Sequence, residues 1–180
     1  MSGGGSGAGS GSQGTPLPPP TLRFVPEAPS TVVGQVVSLQ PTGKMGETGK
    51  VVLAVWLHNQ DRVFRFRGSV RWDRNLLDYD AWGEGDWFKQ GGALVNWTVT
   101  TSTPGQITFS MDRPSTASAA SGSGEVLIIR LKPKTAVSNG TTPLQWDQPV
   151  VSDSTGRSVG IDRAYGGSIT VTPSATPPAP

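Results

Sequence analysis

The stretch Val63–Leu77, VFRFRGSVRWDRNLL, restricts the fold more than any other. Phe64, Phe66, Gly68, Val70 and Trp72 share one parity; Arg65, Arg67, Ser69, Arg71 and Asp73 share the other. Successive side chains of a strand point to opposite faces, so this pattern describes a strand with one side buried and one side wet. An apolar sheet face must be covered, which calls for a second layer. The wet face presents a row of arginines, with Arg62 and Arg74 at its ends.

Similar short segments supply the second layer. Leu22–Val25 reads as a first strand closed by Pro26 and Pro29, because proline offers no donor to a ladder. Val32–Leu39 follows, interrupted by Gly34. Lys50–His58, KVVLAVWLH, is apolar on both parities, as expected of a strand covered on both sides. Asn59–Arg62 reads as a polar turn into the alternating strand, and Asp78–Gly92 as a Gly-rich loop. Ala93–Thr101 alternates, with Ala93, Val95, Trp97 and Val99 on one face. The turn Ser102–Gly105 returns it to Gln106–Met111, where Ile107, Phe109 and Met111 point inward. Ser115–Gly124 reads as a small-residue loop, and Glu125–Leu131 as an apolar strand ended by Pro133. Thr142–Trp146, Val150–Asp153 and Ser168–Val171 complete the set. About nine short strands with Gly and Pro between them, and almost no helical period, predict an all-β fold, an antiparallel β-sandwich. Residues 1–20 form a Gly/Ser/Pro-rich linker, read as a tether to something upstream, and 174–180 a disordered Pro-rich tail. Residues 21–173 are left as the folded unit.

A unit of this size buries roughly 70% of its unfolded surface and needs no staple. The absence of cysteine excludes disulfides, zinc ribbons and thiol nucleophiles. A net charge of +2 is too small for a nucleic-acid binder, and no run approaches the ~20 apolar residues of a membrane span. His58 is the only histidine, so no metal set or nucleophile pair can be built on it, and it reads as an edge residue. No pair of carboxylates is set across an evident cleft, as glycoside hydrolysis requires. The literal G-x-G-x-x-G at Gly9–Gly14 has no strand before it and no helix after it. No catalytic residue and no cofactor is expected, and the sequons at Asn96 and Asn139 read as chance.

From Val36 to Val171 the sequence resembles a bacterial cohesin-type domain. VVLAVWLHN followed by VFRFRGSVRWD and NLL resembles the family's paired strands, and EGDWFKQGG its Gly-Asp-aromatic-aromatic loop. GQITFSMDRP, SGSGEVLIIRLKP, VVSDSTGRSV and GGSITVTP resemble its following strands in order. Within the family it is most similar to the cohesin-like domains at the C-terminal end of secretin-type proteins of type II secretion and type IV pilus systems. Arg65, Arg67 and Gly68 stand where the family pattern has small or apolar residues. The resemblance implies a jelly-roll sandwich of nine strands, no catalysis, and a protein partner in the cell envelope or secretion apparatus. It also implies a place in the periplasm, at the outer membrane or outside the cell, as part of a longer exported protein. A related sandwich architecture serves carbohydrate-binding modules, which makes a polysaccharide the alternative partner.

Two surfaces are candidates for partner binding. The first is the arginine row, Arg65, Arg67 and Arg71, whose planar forks suit carboxylates and phosphates. The second is the aromatic group Tyr79, Trp82, Trp87 and Phe88, which either anchors a partner or plugs the end of the sandwich. Trp72 and Trp97 share parity with core residues, and Trp56 is open to either side. Asp78, Asp80, Glu84 and Asp86 offer hard oxygen ligands, but their spacing is not that of an EF-hand. A solvated acidic loop without metal is therefore the expectation, with calcium as the alternative.

Overall fold

The computed structural model describes residues 18–42, 49–134 and 139–174. The Gly9–Gly14 match, most of the 1–20 linker and nearly all of the 174–180 tail lie outside the described residues. Eleven strands are described: β1 (Thr21–Pro26), β2 (Val36–Pro41), β3 (Val51–Val63), β4 (Arg65–Arg71), β5 (Leu77–Glu84), β6 (Asn96–Thr100), β7 (Gln106–Asp112), β8 (Ala120–Pro133), β9 (Gly140–Ser152), β10 (Arg163–Tyr165) and β11 (Gly167–Thr172). A short 3-10 segment, Trp87–Gly92, lies between β5 and β6.

Two sheets face one another. One runs in the order β1-β11-β9-β4-β7-β6, the other β10-β2-β3-β8-β5. Every neighbouring pair is antiparallel except β10 and β2. Because Phe64 leads straight from β3 of one sheet to β4 of the other, it forms the corner. Its N–H donates to the Ser152 carbonyl at 2.9 Å, and its carbonyl accepts from the Arg113 N–H at 2.8 Å.

The inner faces supply one core. Phe66, Val70, Ile107, Phe109, Met111, Val151 and Ile169 meet Val37, Leu39, Leu53, Val55, Leu57, Leu127, Ile129 and Leu131. Phe66, Phe109 and Trp146 stack mutually, with ring centroids 5.4 to 6.3 Å apart. Trp72 is buried as its parity requires, and its indole N–H donates to the Leu77 carbonyl at 3.0 Å. The tight turn into β7 depends on Gly105: its φ is +79°, and a Cβ there would stand 2.7 Å from the Trp72 carbonyl oxygen.

The sandwich is as the sequence predicts, and so is the alternation of β4 except at Ser69, which is buried on the face expected to be wet; several element boundaries differ. Asn59–Arg62 is not a turn: β3 continues through it, with positive φ at Asn59 and Arg62 and breaks of register against β8. Such bulges let polar residues stay in a ladder. Thr142–Trp146 and Val150–Asp153 belong almost wholly to one strand, β9, whose register slips opposite Gly68. β8 begins at Ala120, inside the expected small-residue loop, and β5 occupies half of the expected Asp78–Gly92 loop. β10 has too few residues to show a period.

A candidate docking face

β4 lies between β9 and β7, so the arginine row occupies the middle of the six-stranded sheet rather than its margin. The register sets its neighbours. Arg65, Arg67, Ser69 and Arg71 lie beside Asp112, Ser110, Thr108 and Gln106 of β7. β7 in turn carries Asn96, Thr98 and Thr100 of β6 beside Asp112, Ser110 and Thr108. On the other flank stand Ser152, Val150, Asp147 and Gln145 of β9.

The three guanidinium groups differ in their commitments. Arg65 is ion-paired to Asp112. Arg71 donates to Asp147 at 2.5 Å and to the Gln106 amide oxygen at 3.1 Å. Arg67 is exposed and has no ion pair among the described residues. It borders an open concavity of about 460 Å³ lined by Ser69, Thr98, Thr100, Thr108, Ser110, Asp147 and Gln148. Ser69 and Thr108 share a hydroxyl bond of 2.8 Å on its floor. Gly68 is what allows β9 to lie so close: a Cβ there would meet the Pro149 Cα at 3.2 Å. Around β4 this face offers the Arg67 guanidinium, without an ion pair among the described residues, two half-exposed ion pairs and a field of hydroxyls.

The aromatic group is not an anchor cluster. Trp87 is 5% exposed and Phe88 0%, so both are withdrawn from the partner-binding candidates. Trp87 packs against Gly124, where a Cβ would stand 2.4 Å from the indole, and its ring meets Phe88 edge-on at 5.5 Å. Burying two large rings outweighs presenting them, and the 3-10 segment plugs the sandwich. Tyr79 pairs with Leu131 and packs against the core, and burial, with the Asp80 charge behind it, raises its phenol above the usual value. Tyr79 stays partly open, and Trp82 is exposed, at 37%, with its ring 5.9 Å from that of Trp97. Trp97 closes the side of the sandwich, half-buried instead of central.

Sequence reasoning missed the residue that holds the plug in place. Arg113 is buried, and its guanidinium donates to the carbonyls of Phe88, Gln90 (2.8 Å) and Ser118 (2.7 and 3.1 Å). Burial lowers its pKa. The signal was an arginine directly after a strand, which spacing alone does not separate from a solvated one.

The acidic residues are not gathered in a loop. Asp78, Asp80 and Glu84 lie on β5, and each is matched to a cation. Asp78 meets Lys134 at 2.7 Å; Glu84 and Asp86 share Lys89 at 3.0 and 3.5 Å. Asp80 is surrounded by Arg130 at 2.5 Å, Lys50 at 3.2 Å and Lys132 at 3.7 Å. Burial alone would raise the Asp80 carboxyl; the bond and charge of Lys50, with Arg130, outweigh it and hold the pKa low. Among the described residues no group of three or more carboxylate or imidazole ligands converges. His58 sits on the outer side of β3, stacked on Trp56 at 5.9 Å and 2.8 Å from the Ser38 hydroxyl, and its burial lowers its pKa.

The cohesin domain family model matches residues 35–171. Among solved structures the chain is similar to the sixth cohesin of scaffoldin B from Acetivibrio cellulolyticus, determined in complex with a mutant Cel5 dockerin. The TM-score is 0.60 at 19% identity, over 75% of this chain and 97% of that one. It is also similar to a cohesin from Clostridium acetobutylicum (0.59, 20% identity, 86% and 93% covered). A third likeness is to a non-cellulosomal cohesin from the archaeon Archaeoglobus fulgidus (0.51, 18% identity, 66% and 78% covered). No curated protein sequence matches the chain.

Proposed function

The chain belongs to the cohesin domain family, and on that premise we propose that it is a non-catalytic module that docks a protein partner on the outer face of its six-stranded sheet. The observation that carries this reading is Arg67, an exposed guanidinium without an ion pair among the described residues, on the border of a hydroxyl-lined concavity. A fork of five donors flanked by serine and threonine hydroxyls suits carboxylate and backbone groups of another protein. The half-exposed pairs of Arg65 and Arg71 can exchange their carboxylates for a partner's at little cost, because such pairs contribute only about 0.2–1 kcal/mol. The similar A. cellulolyticus cohesin was determined with a dockerin, which makes a dockerin-like domain the kind of partner proposed. The linker-like residues 1–20 and the GGSITV ending support a place in a longer exported envelope protein, associated with a secretin.

A polysaccharide finds less support. Bound sugar rings need exposed aromatic platforms, and none of the outward strand positions on this sheet is aromatic.

The test is capture from a detergent extract of the cell's own envelope, beside a panel of insoluble polysaccharides, with wild type and Arg65→Glu/Arg67→Glu. The expected result is saturable capture of a protein, weakened by salt and by at least tenfold (about 1.4 kcal/mol) in the double variant. Capture unchanged by the reversal refutes the proposed face, and retention on a glycan without protein refutes the proposed partner class.

A further inference from the structure

A second contact surface lies at the open side of the sandwich. A sheet edge exposes a row of unpaired N–H and C=O groups, and soluble proteins block such edges with charge, proline or brevity. Three of the four edges here are blocked in that way. β5 carries Asp78, Asp80 and Glu84; β1 carries Arg23 and ends in Pro26; β10 spans three residues, one of them Arg163. β6, five residues long, carries neither charge nor proline. From Ala93 to Thr103 the sequence is ALVNWTVTTST, without a charge or a proline. Among the described residues, Asn96–Thr100 pairs with β7 alone, on one side. Beside that edge lie two of the large apolar side chains that remain exposed, Leu94 at 85% and Trp82 at 37%.

We propose that two copies of this chain pair β6 to β6, antiparallel, about a two-fold axis through Thr98. The strand is complementary to itself in that register. All five residues find a partner: Thr98 opposite Thr98, Asn96 opposite Thr100, and Trp97 opposite Val99. The outward faces then match polar to polar. The inward faces match an aromatic ring to a β-branched side chain, a favourable cross-strand pair. No charge is buried. Registers centred on Trp97 or Val99 also keep the faces matched but leave strand ends unpaired. Pairing would bring a second Trp97 and Val99 towards the Trp82–Trp97 contact and cover apolar surface that is now open. The two six-stranded sheets would merge into one, with two arginine faces side by side. A bivalent docking surface follows, on which two linked partners bind with avidity.

Because the chain has no cysteine, single cysteines report the register cleanly. In the proposed register, Cβ atoms of two residues at position 98 lie about 4.5–5.5 Å apart, near disulfide range, whereas those at position 96 are separated by roughly four residues of strand, about 13 Å. Thr98→Cys should form a disulfide-linked dimer under mild oxidation, and Asn96→Cys should not. Sedimentation equilibrium of the wild type should show a concentration-dependent dimer, weakened at least tenfold by Thr98→Lys, which sets two ammonium groups opposite each other. Circular dichroism checks that this exposed substitution leaves the fold intact. A wild type that stays monomeric up to about 1 mM overturns the proposal. So does equal cross-linking at positions 96 and 98, a dimer indifferent to Thr98→Lys, or an edge that binds only an unrelated extended peptide.

Discussion

Replacing Arg113 by methionine is the most direct test of how the sandwich is plugged. Methionine keeps the apolar stem and deletes the guanidinium. Three carbonyls, of Phe88, Gln90 and Ser118, then lose their donor. A buried acceptor left without a partner costs about 1–3 kcal/mol. The lower figure applies here, because deleting the charge also removes its own desolvation cost. The Phe88 carbonyl is buried and counts at ~1 kcal/mol, whereas water reaches the carbonyls of the exposed residues Gln90 and Ser118 and reduces each to ~0.5 kcal/mol, a loss of about 2 kcal/mol. For a domain of about 150 residues each kcal/mol lowers Tm by ~2–4 °C, so the expected drop is about 4–8 °C. The assay is thermal unfolding followed by circular dichroism, with tryptophan emission recorded in the native baseline. Trp87 sits on the segment that Arg113 holds, so its release should also shift emission to the red. Arg113→Lys should fall between, since one ammonium cannot serve three carbonyls as a planar fork does. A drop under ~2 °C with unchanged emission would refute the reasoning and make the Trp87–Gly92 segment self-supporting.

Two further outcomes follow from packing and titration. Gly124→Ala places a methyl where Trp87 already stands, and should destabilise by on the order of 2 kcal/mol in urea denaturation, with Trp87 displaced. The lowered pKa of His58 means that the unfolded chain takes up its proton first as pH falls. The stability contributed by keeping His58 neutral is therefore complete above its unfolded value near ~6.5 and declines as pH drops through the window below it. His58→Gln should flatten the dependence of Tm on pH between about 7 and 5, and an unchanged slope would assign that dependence to other groups.

The arginine row shows how far local pattern reaches. Period two in Val63–Leu77 announced which side chains of β4 are wet, Ser69 apart, because in a strand that depends only on the backbone. It did not announce that Arg65 meets Asp112, that Arg71 meets Asp147, or that Arg67 meets neither. Those partners lie 47 and 76 residues away, and pairing order is a property of the whole sheet. The aromatic residues of Asp78–Gly92 show the converse. Loop-like composition left open whether they anchor a partner or plug the sandwich; Trp87 and Phe88 are buried, because a sandwich open at its end gains more from covering the core than from displaying two rings.

What the sequence by itself determined is the all-β class, the inward and outward faces of most strands, and the hairpin at Ser102–Gly105. All of these rest on residues within one or two turns of one another. Only the tertiary structure decided which strands are neighbours and which edges stay open. It also decided which charges are spent on one another and that Arg67 has no ion pair among the described residues. The reason is that strand order and register are set by burial summed over two sheets, and no local window contains that sum.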